Sequence, residues 1–588
     1  MKKKWKLQAD LSLKQTQELK TYTPLVQKLL AHRGIERAKL AEVFLRPDYE
    51  RDLLDPFLMK DMAKAVARLL EAIENKERVV IFGDYDADGV PGATMLALLF
   101  NKMGYENYEV YIPDRHNEDY GLNLKAVTEF AGREVKLIIT IDCGIRDVAE
   151  VRLAAEHGLD VIITDHHLPG EILPPAYAIV NAKQSDDKYP EKMLAGAGVM
   201  FKFIGAVLAK NRFGIETGWE KWLLDLAAIA TVSDMVPLVG ENRLLAYYGL
   251  KVLRQTRRPG LLALFNLMKI KPVNATEDDI GFMIGPRINS ASRMSHASQA
   301  YYLLTTEDEA EAVTIAKHLE EKNQSRRELT EKVLTAISAL MDEKNLPPII
   351  VAGSADWGLG ILGLSCSRLV EKYNRPVWLW SKNEAGTIKG SCRSDGTINL
   401  VEVMTLVNQT AMAETGKDFF LNAGGHAMAA GFSLAPEREA ELAPRLLAAY
   451  AQAPKQVTEQ EFLVDAKLEL TDLTWDTYAQ IEQLAPFGVD NPKPVFWLSG
   501  AEITAAKSFG NGGLHLELTF KKNEREKISA IGFFQCLAGE IFNGPNGHQF
   551  HGVNLTPGER VDALVTLEKS TFKNYPELRL RIVDLKST

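Results

Sequence analysis

Arg78-Val79-Val80-Ile81-Phe82-Gly83-Asp84-Tyr85-Asp86-Ala87-Asp88-Gly89 is the stretch on which the reading of this chain turns. A short apolar run ends at a glycine, and three carboxylates at alternate positions follow before a second glycine. Such a run, bounded by glycine, reads as a buried strand, so the acids stand just beyond its carboxyl end. More runs of this kind follow at Val110-Tyr111-Ile112, Leu137-Ile138-Ile139-Thr140-Ile141, Val161-Ile162-Ile163-Thr164 and Ala178-Ile179-Val180. A helical spacing of Met62, Val66, Leu69, Leu70 and Ile73 precedes the first, and amphipathic stretches such as residues 147–157 separate several of them. Buried strands alternating with helices predict an α/β fold with a doubly wound, mainly parallel sheet.

The third run ends in Asp142-Cys143-Gly144 and the fourth in Asp165-His166-His167. Open parallel sheets bind ligands outside the carboxyl ends of their strands. Any one of these aspartates, taken alone, reads as a helix cap. Capping does not explain paired histidines beside an aspartate, or so many acids on one sheet edge. Clustered carboxylates repel one another unless a cation neutralises them, so a metal site is the better reading. Thr231-Val232-Ser233-Asp234-Met235-Val236-Pro237, after the apolar run 222–229, adds an acid that by itself is an ordinary turn residue. Oxygen donors with a minority of imidazole suit Mg²⁺ or Mn²⁺, the imidazole favouring Mn²⁺. Two adjacent ions would activate a water and neutralise a scissile phosphate. No thiolate is placed to favour zinc.

Outward from this core, 588 residues imply roughly three or four domains. Hydrophobic residues are 46% and charged residues 25%, the balance of a soluble globular protein. A net charge of −9 argues against a protein held to nucleic acid by charge alone, so any such contact needs a local groove. Cys143, Cys366, Cys392 and Cys536 form no C-x-x-C pair, which argues against zinc ribbons and redox motifs and for a reducing, cytoplasmic setting. No run is apolar enough to span a membrane, and the basic start Met1-Lys2-Lys3-Lys4-Trp5-Lys6 reads as a solvated tail rather than a secretory signal.

Residues 1–60 are helical in pattern and 61–305 hold the first α/β domain. Residues 306–346 read as a connecting helix. Thr306 and Glu309 form a capping-box signal, and Val313, Ala316, Leu319, Leu329, Val333, Ile337 and Leu340 flank a wholly polar, exposed waist at 320–328. One helix or two fit this pattern; a single one would span on the order of 60 Å. Residues 347–455 form a second α/β domain, with strand candidates Ile349-Ile350-Val351, Val377-Trp378-Leu379-Trp380 and Ile388-Lys389-Gly390-Ser391. In 456–588, short alternating runs at 514–520, 528–534 and 578–583 predict a small OB-like β-barrel. Lys569, Phe572, Lys573 and Tyr575 there suit base stacking or, equally, an ordinary hairpin. His515, His548 and His551 are scattered and receive no role.

The four acidic motifs, in order GDYDADG, IDCG, TDHH and TVSD, resemble the DHH phosphoesterase superfamily. The resemblance runs from about residue 30 to the C-terminus. Within the superfamily it is to the single-strand-specific 5′ exonucleases, through Ile112-Pro113-Asp114-Arg115 with Glu118 and Tyr120-Gly121-Leu122-Asn123, Leu194–Val199, and Gly285-Pro286-Arg287-Ile288-Asn289 with Arg293. In the second lobe it continues through residues 357–368, Gly390-Ser391-Cys392-Arg393-Ser394 and Gly424-Gly425-His426-Ala427-Met428-Ala429-Ala430-Gly431-Phe432. Pro486-Phe487-Gly488 and Asn491-Pro492 resemble the entry to an OB domain.

The resemblance implies that Asp84, Asp86, Asp142, His166 and Asp234 bind two Mn²⁺ or Mg²⁺ ions. It places His167 by the scissile phosphate, makes Asp165 an orienting group and gives Asp88 a structural role in its loop. His426 would face the metals from the second lobe. Arg115, Arg287, Asn289, Arg293, Ser391, Arg393 and Ser394 would bind substrate, with Arg115, Arg293, Ser391 and Arg393 on a 5′-terminal phosphate, where guanidinium forks grip two oxygens at once.

The implied activity is 5′→3′ exonucleolysis of single-stranded DNA to nucleoside 5′-monophosphates, in repair and recombination. Single-stranded DNA, a single-strand-binding protein and a helicase would be partners of a cytoplasmic monomer. Asp119, Pro91 and Gly358 depart from the family pattern; none is an expected ligand, and they bear on substrate preference. Rival readings are a DHH enzyme for oligonucleotides or cyclic dinucleotides, which usually lacks a third domain, and a metal-free scaffold in a replication or repair assembly, which would have lost acidic ligands. A pyrophosphatase is weaker, lacking the Gly-Gly-His signature.

Overall fold

The computed structural model describes residues 4–115, 117–118, 120–342, 345–383, 385–456, 461–510, 515–533, 549–550, 553–571 and 575–588. The chain divides into two compact units: residues 55–234 with 248–458, and residues 1–54 with 235–247 and 459–588.

In the first unit, strands β1 (Arg78–Gly83), β2 (Tyr108–Tyr111), β3 (Val135–Ile141), β4 (Asp160–Thr164) and β5 (Ala178–Val180) form one sheet in the order β2-β1-β3-β4-β5. Every pairing is parallel. The apolar runs form strands because both faces are covered: Val80, Phe82, Ile138, Val161 and Ile163 pack in one cluster with Val127, Phe130 and Ala154 of the helices. Helix α1 (Gly89–Met103) follows β1. Helices α2 (Gly196–Lys210) and α3 (Leu224–Ser233) are buried along most of their length. Helix α4 (Gly285–Met294) precedes the connector.

The connector is one helix, α5 (Glu309–Leu340), of 32 residues, about 48 Å long at 1.5 Å per residue. It is shorter than the sequence estimate because it starts later, at Glu309 behind its Asp308 cap, and ends earlier, at Leu340. The Thr306 hydroxyl bonds the Glu311 carboxylate, and the Asp308 carboxylate accepts the Glu311 amide (2.8 Å) as the N-cap. The waist is not wholly exposed either. Asn323 is completely buried, and Glu320 pairs with Arg287 at 2.5 Å.

Helix α6 (Leu359–Tyr373) and five strands make the second lobe: β6 (Ile350–Gly353), β7 (Val377–Lys382), β8 (Ile388–Arg393), β9 (Asn422–Gly425) and β10 (Ala429–Leu434). Their order is β9-β10-β8-β7-β6, with only β6–β7 parallel. Val333 and Ile337 of α5 join Ile361 and Leu362 of α6 on one face of this sheet. Trp378, Ile388 and Phe432 pack on the other. Cys143, Cys366 and Cys392 are free and buried.

In the second unit, β11 (Ala466–Lys467) runs beside the start of β12 (Phe496–Phe509). β12, β13 (His515–Lys521), β14 (Lys527–Gly532), β15 (Arg560–Ser570) and β16 (Glu577–Ser587) close into a five-strand barrel. The long β12 achieves closure by pairing β15 along its first part and β13 along its last. Leu29, Leu30 and Phe44 share one core with Phe520, Val565 and Leu580 of the barrel. Lys4–Leu7 forms a strand parallel to Glu461–Val464, with Lys6 3.1 Å from Glu461 and the Trp5 indole donating to Asp584 (2.7 Å). From Lys4 onward the expected tail is corrected: a sheet partner and side-chain contacts hold its backbone, while the Lys4 and Lys6 side chains stay exposed. Phe572, Lys573, Asp119, His548, His551 and Cys536 lie outside the described residues, as do positions 514 and 534 of the barrel runs. No helix among the described residues is long and apolar enough to cross a membrane.

Trp378 is completely buried. Trp378→Ala is expected to destabilise the second lobe by about 3–5 kcal/mol, read from the urea unfolding midpoint; an unchanged midpoint contradicts this packing.

Candidate metal centre

Sheet register brings three acids together. One step past the paired residues of β1, β3 and β4, the Asp84 amide donates to Ile141 (3.1 Å), the Asp142 amide to Thr164 (2.9 Å) and the Asp165 amide to Val180 (3.1 Å). Three adjacent strands thus release their acids at the same level. Asp142 has φ +63°, a left-handed conformation that non-glycine residues seldom adopt and that gathers at functional sites. Glycines allow the approach of neighbouring segments. A Cβ on Gly196 would stand 2.6 Å from the Asp142 Cβ, and one on Gly89 would stand 2.6 Å from the Asp84 carbonyl oxygen.

The fourth acid arrives differently. Asp234 caps the C-terminus of α3, its amide donating to Ala230 (2.9 Å), so it comes from a helix end rather than a strand end. A carboxylate at the negative end of a helix dipole is unfavourable without a nearby cation.

His166 Nε2 lies 3.1 Å from Asp142 Oδ1, 3.7 Å from Asp234 Oδ2 and 3.8 Å from Asp88 Oδ2. Three sets have ligand atoms within 4.8 Å of one another: Asp84, Asp86 and Asp142; Asp142, His166 and His167; Asp88, His166 and Asp234. Asp142 belongs to the first two sets. Asp86 Oδ1 accepts the amides of Asp88 (2.8 Å) and Gly89 (3.1 Å), which folds the loop. Both Asp88 oxygens accept amides, from Gly196 and Ala197 at 2.7 Å each, so Asp88 holds the N-terminus of α2 while one oxygen still faces His166.

Behind the cluster, Asp165 accepts the amides of Ile145 (3.0 Å), His166 (2.7 Å) and His167 (3.1 Å), and lies 2.8 Å from His167 Nδ1. Burial alone would raise its carboxyl, but the contacts with His167 and these amides outweigh burial and hold it below the usual range.

The cluster members behave oppositely. Burial first, then Asp86, raises Asp84 well above an ordinary carboxyl; burial, then Asp88, does the same for Asp142. Burial and Asp86 lift Asp234 to about 7. Burial, then His167, lowers His166 to about 4, which leaves a neutral imidazole, the form that binds metal. Asp84 Oδ1 and Asp142 Oδ1 are buried and accept no hydrogen bond. Mutually repelling carboxylates with orphaned oxygens beside a neutral imidazole fit a hard divalent cation, Mg²⁺ or Mn²⁺.

The remaining predicted residues separate into two groups. Arg115 lies over the Tyr85 ring at 4.7 Å, beside the acidic loop. Arg293 donates to the Gly360 carbonyl (2.9 Å) at the start of α6. Arg393 donates to Ser391 Oγ (3.1 Å), and a Cβ on Gly363 of α6 would meet Arg393 Nη2 at 3.0 Å and Ser391 Oγ at 3.2 Å. The other group is already engaged. Arg287 is buried against Glu320 and the Met283 carbonyl (2.8 Å). Asn289 accepts the Ala87 amide (2.9 Å), and Ser394 donates to the Ile398 carbonyl (2.7 Å). His426 sits at the exposed tip of the β9–β10 hairpin, its amide donating to Ala429 (2.8 Å); its imidazole makes no hydrogen bond or ion pair among the described residues.

Sequence reasoning passed over Tyr120 and Asn181. The Tyr120 hydroxyl donates to the Asp142 carbonyl (2.7 Å) and lies 3.1 Å from His167 Nδ1. Asn181 donates to the His167 carbonyl (2.9 Å). Tyr120 lay within a quoted segment, but no spacing reveals a contact across 22 or 47 residues. Asn181 had no sequence signal beyond ending a strand run.

Comparison with known proteins extends the picture. Residues 78–231 match the model of the DHH family N-terminal domain, 346–453 the DHHA1 domain, and 464–584 the RecJ OB domain. The single-stranded-DNA-specific exonuclease RecJ of Bacillus subtilis (strain 168) is 36% identical, over 99% of this chain and 71% of its own length. The crystal structure of RecJ from Thermus thermophilus in complex with Mn²⁺ superposes with a TM-score of 0.80 at 29% identity, covering 100% of this chain and 80% of that one. The Mg²⁺ complex from the same organism gives 0.74 at 26% identity, with 100% and 78% covered.

The carboxyls raised in the folded state bind protons that the unfolded chain has already released. Chelated protein should therefore lose stability as pH climbs from the ordinary carboxylate range through about 7. Scanning calorimetry should show the melting temperature falling from pH 5 to 8 in EDTA. Mn²⁺ at 100 times its dissociation constant should restore about 2.7 kcal/mol. A flat profile with no Mn²⁺ response would contradict the site.

Proposed function

The chain belongs to the RecJ family of DHH phosphoesterases, and on that premise we propose how its own residues carry out the family's reaction. The chain is a metal-dependent single-stranded-DNA-specific exonuclease, a hydrolase of phosphodiester bonds. The polarity, the residue roles and the setting that follow are our reading. The observation that carries it is Asp142, shared by two neighbouring ligand sets and backed by an imidazole pair.

Asp84, Asp86, Asp142, His166 and Asp234 would hold two Mn²⁺ or Mg²⁺ ions, Asp142 belonging to two of the ligand groups. When bound, such ions supply charge to a phosphoryl oxygen and a nucleophilic water at neutral pH. The protein's part is orientation. Asp165 holds His167 through Nδ1, the Tyr120 hydroxyl packs beside the ring at 3.1 Å from Nδ1 and 3.5 Å from Nε2, and Nε2 would face the scissile phosphate. Burial lowers His167, but the contact with Asp165 outweighs it and raises the ring above an ordinary imidazole. His426 would reach the same phosphate from the hairpin tip.

Arg115, Arg293, Ser391 and Arg393 would anchor the 5′-terminal phosphate and so set 5′→3′ polarity and release of nucleoside 5′-monophosphates. Support comes from Arg293, which burial and then Arg115 and Arg326 lower to about 9 against the pull of Asp86: a half-buried cation crowded by other cations favours an added anion. Arg287, Asn289 and Ser394 would act on substrate indirectly, by fixing α4, the acidic loop and the turn after β8. The functional division runs 1–60, 61–305, 306–346, 347–455 and 456–588, with the barrel guiding the strand. Repair and recombination, a single-strand-binding protein and a helicase as partners, a monomeric state and a cytoplasmic place complete the proposal. The oligonucleotide phosphodiesterase and scaffold readings have no observation in their favour, since barrel and acids are all retained.

End-labelled single and double strands, digested with Mg²⁺ and with Mn²⁺, test the reading; shortening of single strands from the 3′ end would overturn the polarity. Asp142→Ala should cut turnover by on the order of a thousandfold or more while leaving the circular dichroism unchanged, because several kcal/mol of charge stabilisation depend on that site. Full activity of the variant in Mn²⁺ would refute the assignment. Arg393→Ala should weaken the preference for 5′-phosphorylated over 5′-hydroxyl strands more than it slows hydrolysis; equal losses on both ends count against the anchor.

A further inference from the structure

Arg326 belongs to the polar waist of α5, which the reaction as described does not use. Its Nη2 donates to Asn323 Oδ1 at 2.9 Å, and Asn323 has no exposed surface. The Arg326 Nε–H is buried and meets no acceptor, and Arg326 makes no ion pair among the described residues. A buried, unmatched donor on a charged group is more destabilising than one on a neutral group. Glu320, two turns before it on the same helix, is held by Arg287 of α4 at 2.5 Å.

The surroundings deepen the mismatch. Burial, then the charges of Arg327, Arg368 and Arg287, lower Arg326 to about 10. Arg293, tied to the start of α6 through Gly360, feels Arg326 in turn. Guanidinium groups from α4 and α5 thus repel one another in a partly buried place. A chain with net charge −9 has ample carboxylates to neutralise such a group, yet none among the described residues pairs with Arg326.

We propose that Arg326, positioned by Asn323, binds a phosphate of the nucleic-acid strand next to Arg293, so that α5 is part of the substrate groove as well as a connector. This rests on the exonuclease reading above. A phosphate supplies the missing acceptors, and a guanidinium fork pre-set by one hydrogen bond loses little freedom on taking it. The phosphate is either the terminal monoester or an internucleotide diester, and the two are separable by experiment.

The test is fluorescence anisotropy of labelled single strands, 5′-phosphorylated and 5′-hydroxyl, with the full chain in EDTA across a salt series. R326Q should weaken binding about tenfold at low salt and make the log–log salt slope shallower by about 0.7, the value for one phosphate contact to a single strand. Loss on both strands assigns the internucleotide phosphate, and loss confined to the phosphorylated strand assigns the terminal one. N323A should weaken binding while leaving the slope unchanged, because the charge remains; a purely structural Asn323 would not separate the two. Should R326Q lose its fold, R326K carries the test: the slope holds while affinity falls several-fold, and unchanged affinity overturns the proposal. Wild-type affinity and slope in folded R326Q overturn it as well. A wild-type chain that binds no single strand overturns the exonuclease reading together with it.

Discussion

Repulsion among carboxylates confined at one edge of a parallel sheet is the constraint around which the rest of the first unit is arranged. The ladder extends one hydrogen bond past β1, β3 and β4, so Asp84, Asp142 and Asp165 must leave the sheet at the same level. Left alone they would push one another apart or take up protons. The structure keeps them together by a left-handed Asp142, by glycines where α2 and the first loop approach, and by amides on Asp86 and Asp88. Asp84 and Asp142 keep oxygens that accept no hydrogen bond among the described residues. An arrangement so unfavourable by itself is explained by cations.

Asp165 shows how position changes the chemistry of one residue type. It ends a strand as Asp84 and Asp142 do, yet amides and His167 surround it, and its carboxyl is stabilised in the charged form. It orients a histidine where the others await a metal. Arginines of α4, α5 and the second lobe act on one another nearby: Arg326 feels Arg287 and Arg368, and Arg293 feels Arg326. A negative centre that holds cations and a positive wall that holds phosphates are complementary needs of a polyanion-cleaving site, and a net charge of −9 averages over both.

Much of this was legible in the amino-acid order. Continuous apolar runs marked the five strands of the first sheet because strands buried on both faces carry no alternation to misread. Glycines and acids after those runs marked the site edge. The misreadings have a common cause. Thr306 looked like a cap, but Asp308 takes that place two residues on, accepting the Glu311 amide, while the Thr306 hydroxyl accepts the Asp308 amide. Residues 320–328 looked exposed, but α4 covers one side and buries Asn323. Lys4–Leu7 looked like a loose tail, but its partner strand lies more than 450 residues away.

The sequence by itself determined which residue types stand at strand ends and which chemistry those types can perform. These depend on local spacing and on side-chain chemistry, and both are written along the chain. Only the tertiary structure decided that Asp234 approaches from a helix end, that Asp88 divides itself between an amide pair and His166, that Tyr120 reaches His167, and that the Arg326 Nε–H lacks an acceptor among the described residues. Those facts are distances between segments far apart in the chain, set by how helices and sheets pack, and no local pattern records them.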